Sequence, residues 1–230
     1  MYPRGVATRA STPPARAGIS RLRWAIWGTA ALVGLGSGLG LFLTRSTTPA
    51  STSADVIGGP ATTWPAGARP APPIRLTDQN GKPVSLSAFR GRTVIVTFLD
   101  PLCRNYCPIE ASRLNDVVRS LPAASRPAIL AVSVNQYGND RRYLVQDIHK
   151  WKAGPDWSWG IGDGSQLGTV WQKYGIAVLV TTKKLAGVTV HNVVHTEAAY
   201  VIDAKGDERA LYLWPFTGAD VRKTLVGLRS

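Results

Sequence analysis

The chain has 230 residues, 44% of them apolar, which suits one domain of ordinary size with a real core and additional segments. Its formal net charge is +13, and the first 45 residues hold Arg4, Arg9, Arg16, Arg21, Arg23 and Arg45 without a single acid. The other basic residues are scattered and form no run interleaved with aromatics, which argues against a nucleic-acid partner.

Residues 1–23 read as a basic arm. Trp24 to Leu43 is a stretch of 20 residues without a charged side chain. As a helix rising about 1.5 Å per residue it spans the roughly 30 Å hydrocarbon core of a bilayer. Trp24 and Trp27 sit at its start, where indoles favour the membrane interface. Arg21 and Arg23 flank it on the side that the positive-inside rule assigns to the cytoplasm. The expectation is a cell-membrane protein with one N-terminal transmembrane helix (24–43), a cytoplasmic N-terminus and an extracytoplasmic C-terminal domain. A cleaved secretory signal is the rival, with Ala50 or Ala54 as cleavage-site residues, but its apolar region is usually only about 7–15 residues. Both readings put the chain where disulfides persist. Residues 44–73, rich in Thr, Ser, Ala and Pro, read as a flexible tether, and residues 74–230 as the folded domain.

Within that domain Ile74–Thr77 and Pro83–Leu86 flank an Asn80-Gly81 turn, which predicts a hairpin. Arg92–Leu99 and Ala128–Val134 are β-branched apolar runs, read as buried strands. Asn105–Ser120 has Ile109, Leu114, Val117, Val118 and Leu121 near helical spacing, with Pro122 beyond its end. A helix over 140–152, a short strand over 157–161 and a helix over 165–174 stopped by Gly175 follow. Ala198–Ile202 and Glu208–Leu213 make a second hairpin, and 218–228 a closing helix. This order predicts an α/β, thioredoxin-like mixed sheet with flanking helices and an N-terminal β-hairpin extension. The chain between Ile176 and Asn192 is left as an idiosyncratic loop.

Cys103 and Cys107, the only cysteines, fall between the first long strand and its helix. Spaced i, i+4 at a helix start, they can share one face and either grip one soft metal ion or form a disulfide. Thiolates suit Cu(I) or Zn(II), and imidazole suits copper. The chain has only three histidines. His149 reads as a helix-surface residue. His195, just before the strand 198–202, is read as a third ligand, against a hydrogen-bonded structural role. His191 is an extra ligand or, preferably, a bystander. Asp100 is a weak fourth ligand or, preferably, a loop residue capping the next helix. Trp151, Trp157, Trp159 and Trp171 read as core packing, and Tyr106 as a shield over the cysteines. Arg104 is a candidate to lower a thiol pKa through its charge.

Cys-x-x-x-Cys-Pro at a helix start, then Val193-Val-His-Thr196 before a strand ending Ile202-Asp-Ala-Lys-Gly206, resembles the Sco/SenC family of membrane-tethered, thioredoxin-fold copper proteins. The resemblance covers residues 74–230. It implies Cys103, Cys107 and His195 as ligands of Cu(I) and Cu(II), and a non-enzymatic metallochaperone. The implied partner is the copper-site subunit of cytochrome c oxidase or another copper enzyme. Thiol–disulfide exchange is the alternative, with Cys103 attacking and Cys107 resolving. Leu99-Asp-Pro-Leu102 and Ser133-Val-Asn135 depart from the family's usual residues; the second leaves out an acid near the site.

Overall fold

The computed structural model describes residues 59–228. The arm and the proposed membrane span lie outside them. Among the described residues no helix is long and apolar enough to cross a membrane.

A six-stranded sheet runs in the order β1-β10-β9-β4-β5-β6. Its strands are β1 (Thr62–Thr63), β4 (Val94–Leu99), β5 (Ala128–Ser133), β6 (Trp157–Gly160), β9 (Ala198–Ile202) and β10 (Glu208–Leu213). β4 lies between β5, its parallel neighbour, and β9, its antiparallel one, with Val96 opposite Leu130 and Tyr200. β1 pairs with the edge of β10, Thr62 opposite Leu211, so ordered chain begins before Ile74 and the expected tether ends earlier than residue 73.

Alternation along β4 sends Val94, Val96 and Phe98 to one face and Ile95 and Leu99 to the other. The first face is covered by helix α3 (Gly164–Lys173) and by the hairpin β2 (Arg75–Thr77)–β3 (Pro83–Ser85), through Leu167, Val170, Leu76 and Val84. The second is covered by α1 (Tyr106–Arg119), α2 (Arg141–Lys150) and α4 (Gly218–Gly227), through Leu114, Leu144, Val221 and Leu225. The β2–β3 turn follows its sequence signal: Gly81 has φ +79°, and Asp78 Oδ1 accepts from the amides of Asn80 and Lys82.

α1 buries Cys107, Ala111, Leu114 and Val118, an i, i+4, i+7, i+11 stripe. Ile109, grouped with that stripe from sequence, is on the outer side and 48% exposed. The tryptophans are packing residues, as expected: the rings of Trp151 and Trp159 meet at a tilt with centroids 5.3 Å apart, and Trp157 Nε1 donates to Asn115 Oδ1 at 2.8 Å. α3 opens with a capping box between Asp163 and Gln166.

The segment read as a loop over 176–192 is instead a long hairpin, β7 (Val178–Leu185) and β8 (Val188–His195), turning at Ala186 and Gly187, both at positive φ. His195 ends β8 rather than lying in a loop.

Candidate functional site

β4 ends at Leu99, and the chain must turn from the sheet into α1. Asp100 makes that turn: its Oδ1 accepts from the Leu102 amide at 2.8 Å and from Asn135 Nδ2 at 3.0 Å. Asp100 is therefore a buried loop residue closing an Asx-type turn; it does not cap α1. Arg104 donates to the carbonyls of Pro101 and Cys103, bracing the same turn.

Cys103 lies in this turn, before α1, and is half-buried; Cys107 is the second residue of α1 and fully buried. The expectation that both sulfurs ride on one helix face is corrected to one in the loop and one on the helix. They still meet. The Cys107 amide, one of the free N–H groups of the helix start, donates to Cys103 Sγ at 3.4 Å. As a thiol, Cys103 donates to Asn105 Oδ1 at 3.0 Å. Both cysteines are free thiols here.

The pair is electrostatically split. The Cys107 thiol, hydrogen-bonding to the Cys103 sulfur, together with the amides of Cys107, Asn105 and Tyr106, lowers the Cys103 pKa from 9.0 to about 6, against the opposing cost of burial. Cys107 moves the other way, because it donates to Cys103, is buried, and faces the charge that Cys103 acquires. The outer sulfur is thus biased toward the thiolate and the inner one toward the protonated thiol.

Above the sulfurs is an open cavity of about 930 Å³ between the turn, the end of β8 and Trp214, with Cys103, His195, Glu197 and Asn135 in its wall. Tyr106 lines it too, its ring 6.5 Å from that of Trp214, but is 52% exposed. His195 Nδ1 lies 3.0 Å from the Thr196 carbonyl. A carbonyl can only accept, so Nδ1 carries the proton and a neutral ring keeps a lone pair on Nε2 for an ion.

Cys107, His195 and Glu197 each bring one ligand atom to a cluster in which all these atoms lie within 4.8 Å of one another. Glu197 was not foreseen from sequence. The available signal was local: extended residues two apart point the same way, and Glu197 follows His195 by two. Burial, then the charge of Cys103, raises its pKa from 4.5 to about 7. One turn beyond Cys107 on α1, Glu110 is wholly buried and accepts from the Thr97 hydroxyl. Burial, chiefly, lifts its pKa to about 8 even though Thr97 acts against the shift.

The remaining histidines lie outside the cluster. His149 is exposed on α2. His191 borders the cavity, but its ring stacks on Tyr137 at 3.6 Å and its Nδ1 is 3.0 Å from Thr182 Oγ1, so it already has partners of its own.

The cluster of one sulfur, one imidazole and one carboxylate suits a metal ion such as copper; the Cys103 sulfur lies beside Cys107 but outside that cluster, and the split thiol pair suits disulfide exchange. The fold is shared with solved proteins. Arabidopsis thaliana ScoI with copper bound is 16% identical, with a TM-score of 0.61 over 69% of this chain and 97% of that one. BsSco, a Sco-family cytochrome c oxidase assembly protein described for its disulfide switch, is 18% identical, with a TM-score of 0.55 over 75% and 96%. The thioredoxin domain of a Bacteroides vulgatus thiol-disulfide oxidoreductase is 20% identical, with a TM-score of 0.52 over 73% and 100%, so the fold is thioredoxin-like. No curated protein matches the sequence. The SCO1/SenC family profile matches residues 65–223, a span that holds both cysteines and His195, and the chain belongs to the SCO1/SenC family.

Proposed function

We propose that this protein is a membrane-tethered copper metallochaperone that holds copper through Cys103, Cys107 and His195 and helps metallate the copper centre of cytochrome c oxidase. The observation that carries the reading is the approach of a His195 ring nitrogen to the buried Cys107 sulfur, beside a Cys103 biased to the thiolate. Family membership supports it, as do the copper named for ScoI and the oxidase assembly named for BsSco. Copper is the cargo. The cavity leaves it open to an incoming cysteine or histidine of the client, so transfer proceeds by ligand exchange. Residues 24–43 would anchor the domain beside a membrane-bound client and raise its effective concentration. Cu(I) titration of the reduced chain against a competing chelator tests this: one equivalent binds tightly, and His195→Ala loses that binding while keeping its fold.

The pKa split favours a second reading. A thiolate outside and a protonated thiol inside is the arrangement in which Cys103 attacks a client disulfide and Cys107 releases the mixed disulfide. Reductase activity that survives His195→Ala, without copper binding at any stage, would favour it.

A further inference from the structure

The metal-competent cluster includes a residue that the two-cysteine, one-histidine reading does not use. Glu197 leaves β8 two residues after His195, and its backbone is fixed on both sides. The Thr196 amide donates to the Ala177 carbonyl at 2.9 Å, and the Glu197 carbonyl accepts from the Trp214 amide at 3.1 Å. Its carboxyl therefore does not swing at the end of a free loop; it is presented to the cavity beside the imidazole. One of its oxygens, Oε2, is buried and has no hydrogen-bond partner among the described residues. A buried carboxylate oxygen without a donor is costly, and a cation is the partner that would relieve the cost. Its ligand atom is also within 4.8 Å of those of Cys107 and His195.

We infer that Glu197 is a copper ligand of the divalent state, supplying a carboxylate oxygen to Cu(II) beside Cys107 and His195 and contributing little to Cu(I). This rests on the copper reading above. Its chemistry follows from donor softness: thiolates favour Cu(I), whereas tetragonal nitrogen and oxygen donors favour Cu(II). Asp100, the other acid in the cavity wall, accepts from Leu102 and Asn135 through Oδ1 and is not part of the cluster that Cys107, His195 and Glu197 form.

The test compares Cu(II) and Cu(I) affinities of the full chain with those of Glu197→Gln, which keeps the shape and removes the charge. Electron paramagnetic resonance is recorded on the Cu(II) forms. The expected result is Cu(II) binding weakened at least about tenfold, Cu(I) binding changed less than about threefold, and altered copper hyperfine values in the Cu(II) spectrum. Equal changes in both affinities in a folded variant, or an unchanged spectrum, overturn the assignment. If Glu197→Gln does not fold, Glu197→Asp replaces it, and a smaller loss confined to Cu(II) is required. Absence of copper binding in the unaltered chain would sink the copper reading itself, and this inference with it. Copper bound normally by the unaltered chain and identically by the variant would sink only the role of Glu197.

Discussion

Replacing Glu110 with Gln should make the reduced, copper-free protein more stable in alkaline solution. Glu110 is wholly buried under the site, and its carboxyl titrates at about 8 instead of 4.5, mainly because its charged form is desolvated. The unfolded chain releases this proton near pH 4.5 and the folded chain keeps it to about 8, so above pH 4.5 the folded state binds more protons. Stability then falls as pH rises. At about 1.4 kcal/mol per pH unit, the loss from this one group approaches about 5 kcal/mol by pH 8 and then levels off. Gln does not titrate, and its amide oxygen can accept from Thr97 as the carboxyl does. Urea unfolding of wild type and Glu110→Gln at pH 4.5 and pH 9 reads the difference directly, because most other titrations cancel between the two proteins. The two should agree within about 1 kcal/mol at pH 4.5, with the variant ahead by several kcal/mol at pH 9. A difference that does not change with pH would refute the buried, protonated carboxyl.

Three further outcomes follow from the site. Alkylation of Cys103 by iodoacetamide, followed by peptide mass, should rise with pH through a midpoint of about 6 while Cys107 stays protected; Cys107→Ala should move that midpoint up, because it removes the thiol donor that is the largest cause of the low value. A side chain at Gly138 would place its Cβ 2.9 Å from Leu102 Cγ and 3.0 Å from Pro101 Cγ, so Gly138→Ala should cost about 1–3 kcal/mol in denaturant unfolding. It should also raise the Cys103 midpoint by shifting the turn. His191→Ala, which removes a ring already held by Tyr137 and Thr182, should leave copper stoichiometry unchanged in the titration that His195→Ala abolishes.

The parts of the fold that bury side chains were readable. β4 and β5 are mostly apolar runs, each with a single hydroxyl residue (Thr97, Ser133), whose six residues are all buried, and the stripe on α1 has helical spacing. The β7–β8 hairpin was not readable because almost nothing in it is buried. Leu179 and Val188 are 67% and 63% exposed, so Val178-Leu-Val-Thr-Thr-Lys-Lys-Leu185 carries no in-and-out rhythm. Cys103, Cys107 and His195 stood out as candidates because few residue types hold copper and this chain has few of them. Glu197 could not be distinguished from an ordinary surface acid until its oxygen was seen to be buried beside His195. The inner and outer roles of the two cysteines likewise depend on where α1 begins, which is after Cys103 and not before it.

The central claim is that Cys103, Cys107 and His195 close on a single copper ion. Copper-edge X-ray absorption of the reduced chain loaded with one equivalent of Cu(I) tests it most directly. The account predicts two sulfur neighbours and one imidazole nitrogen, with the imidazole scattering gone in His195→Ala. A spectrum with no imidazole contribution, or one that His195→Ala leaves unaltered, would contradict it.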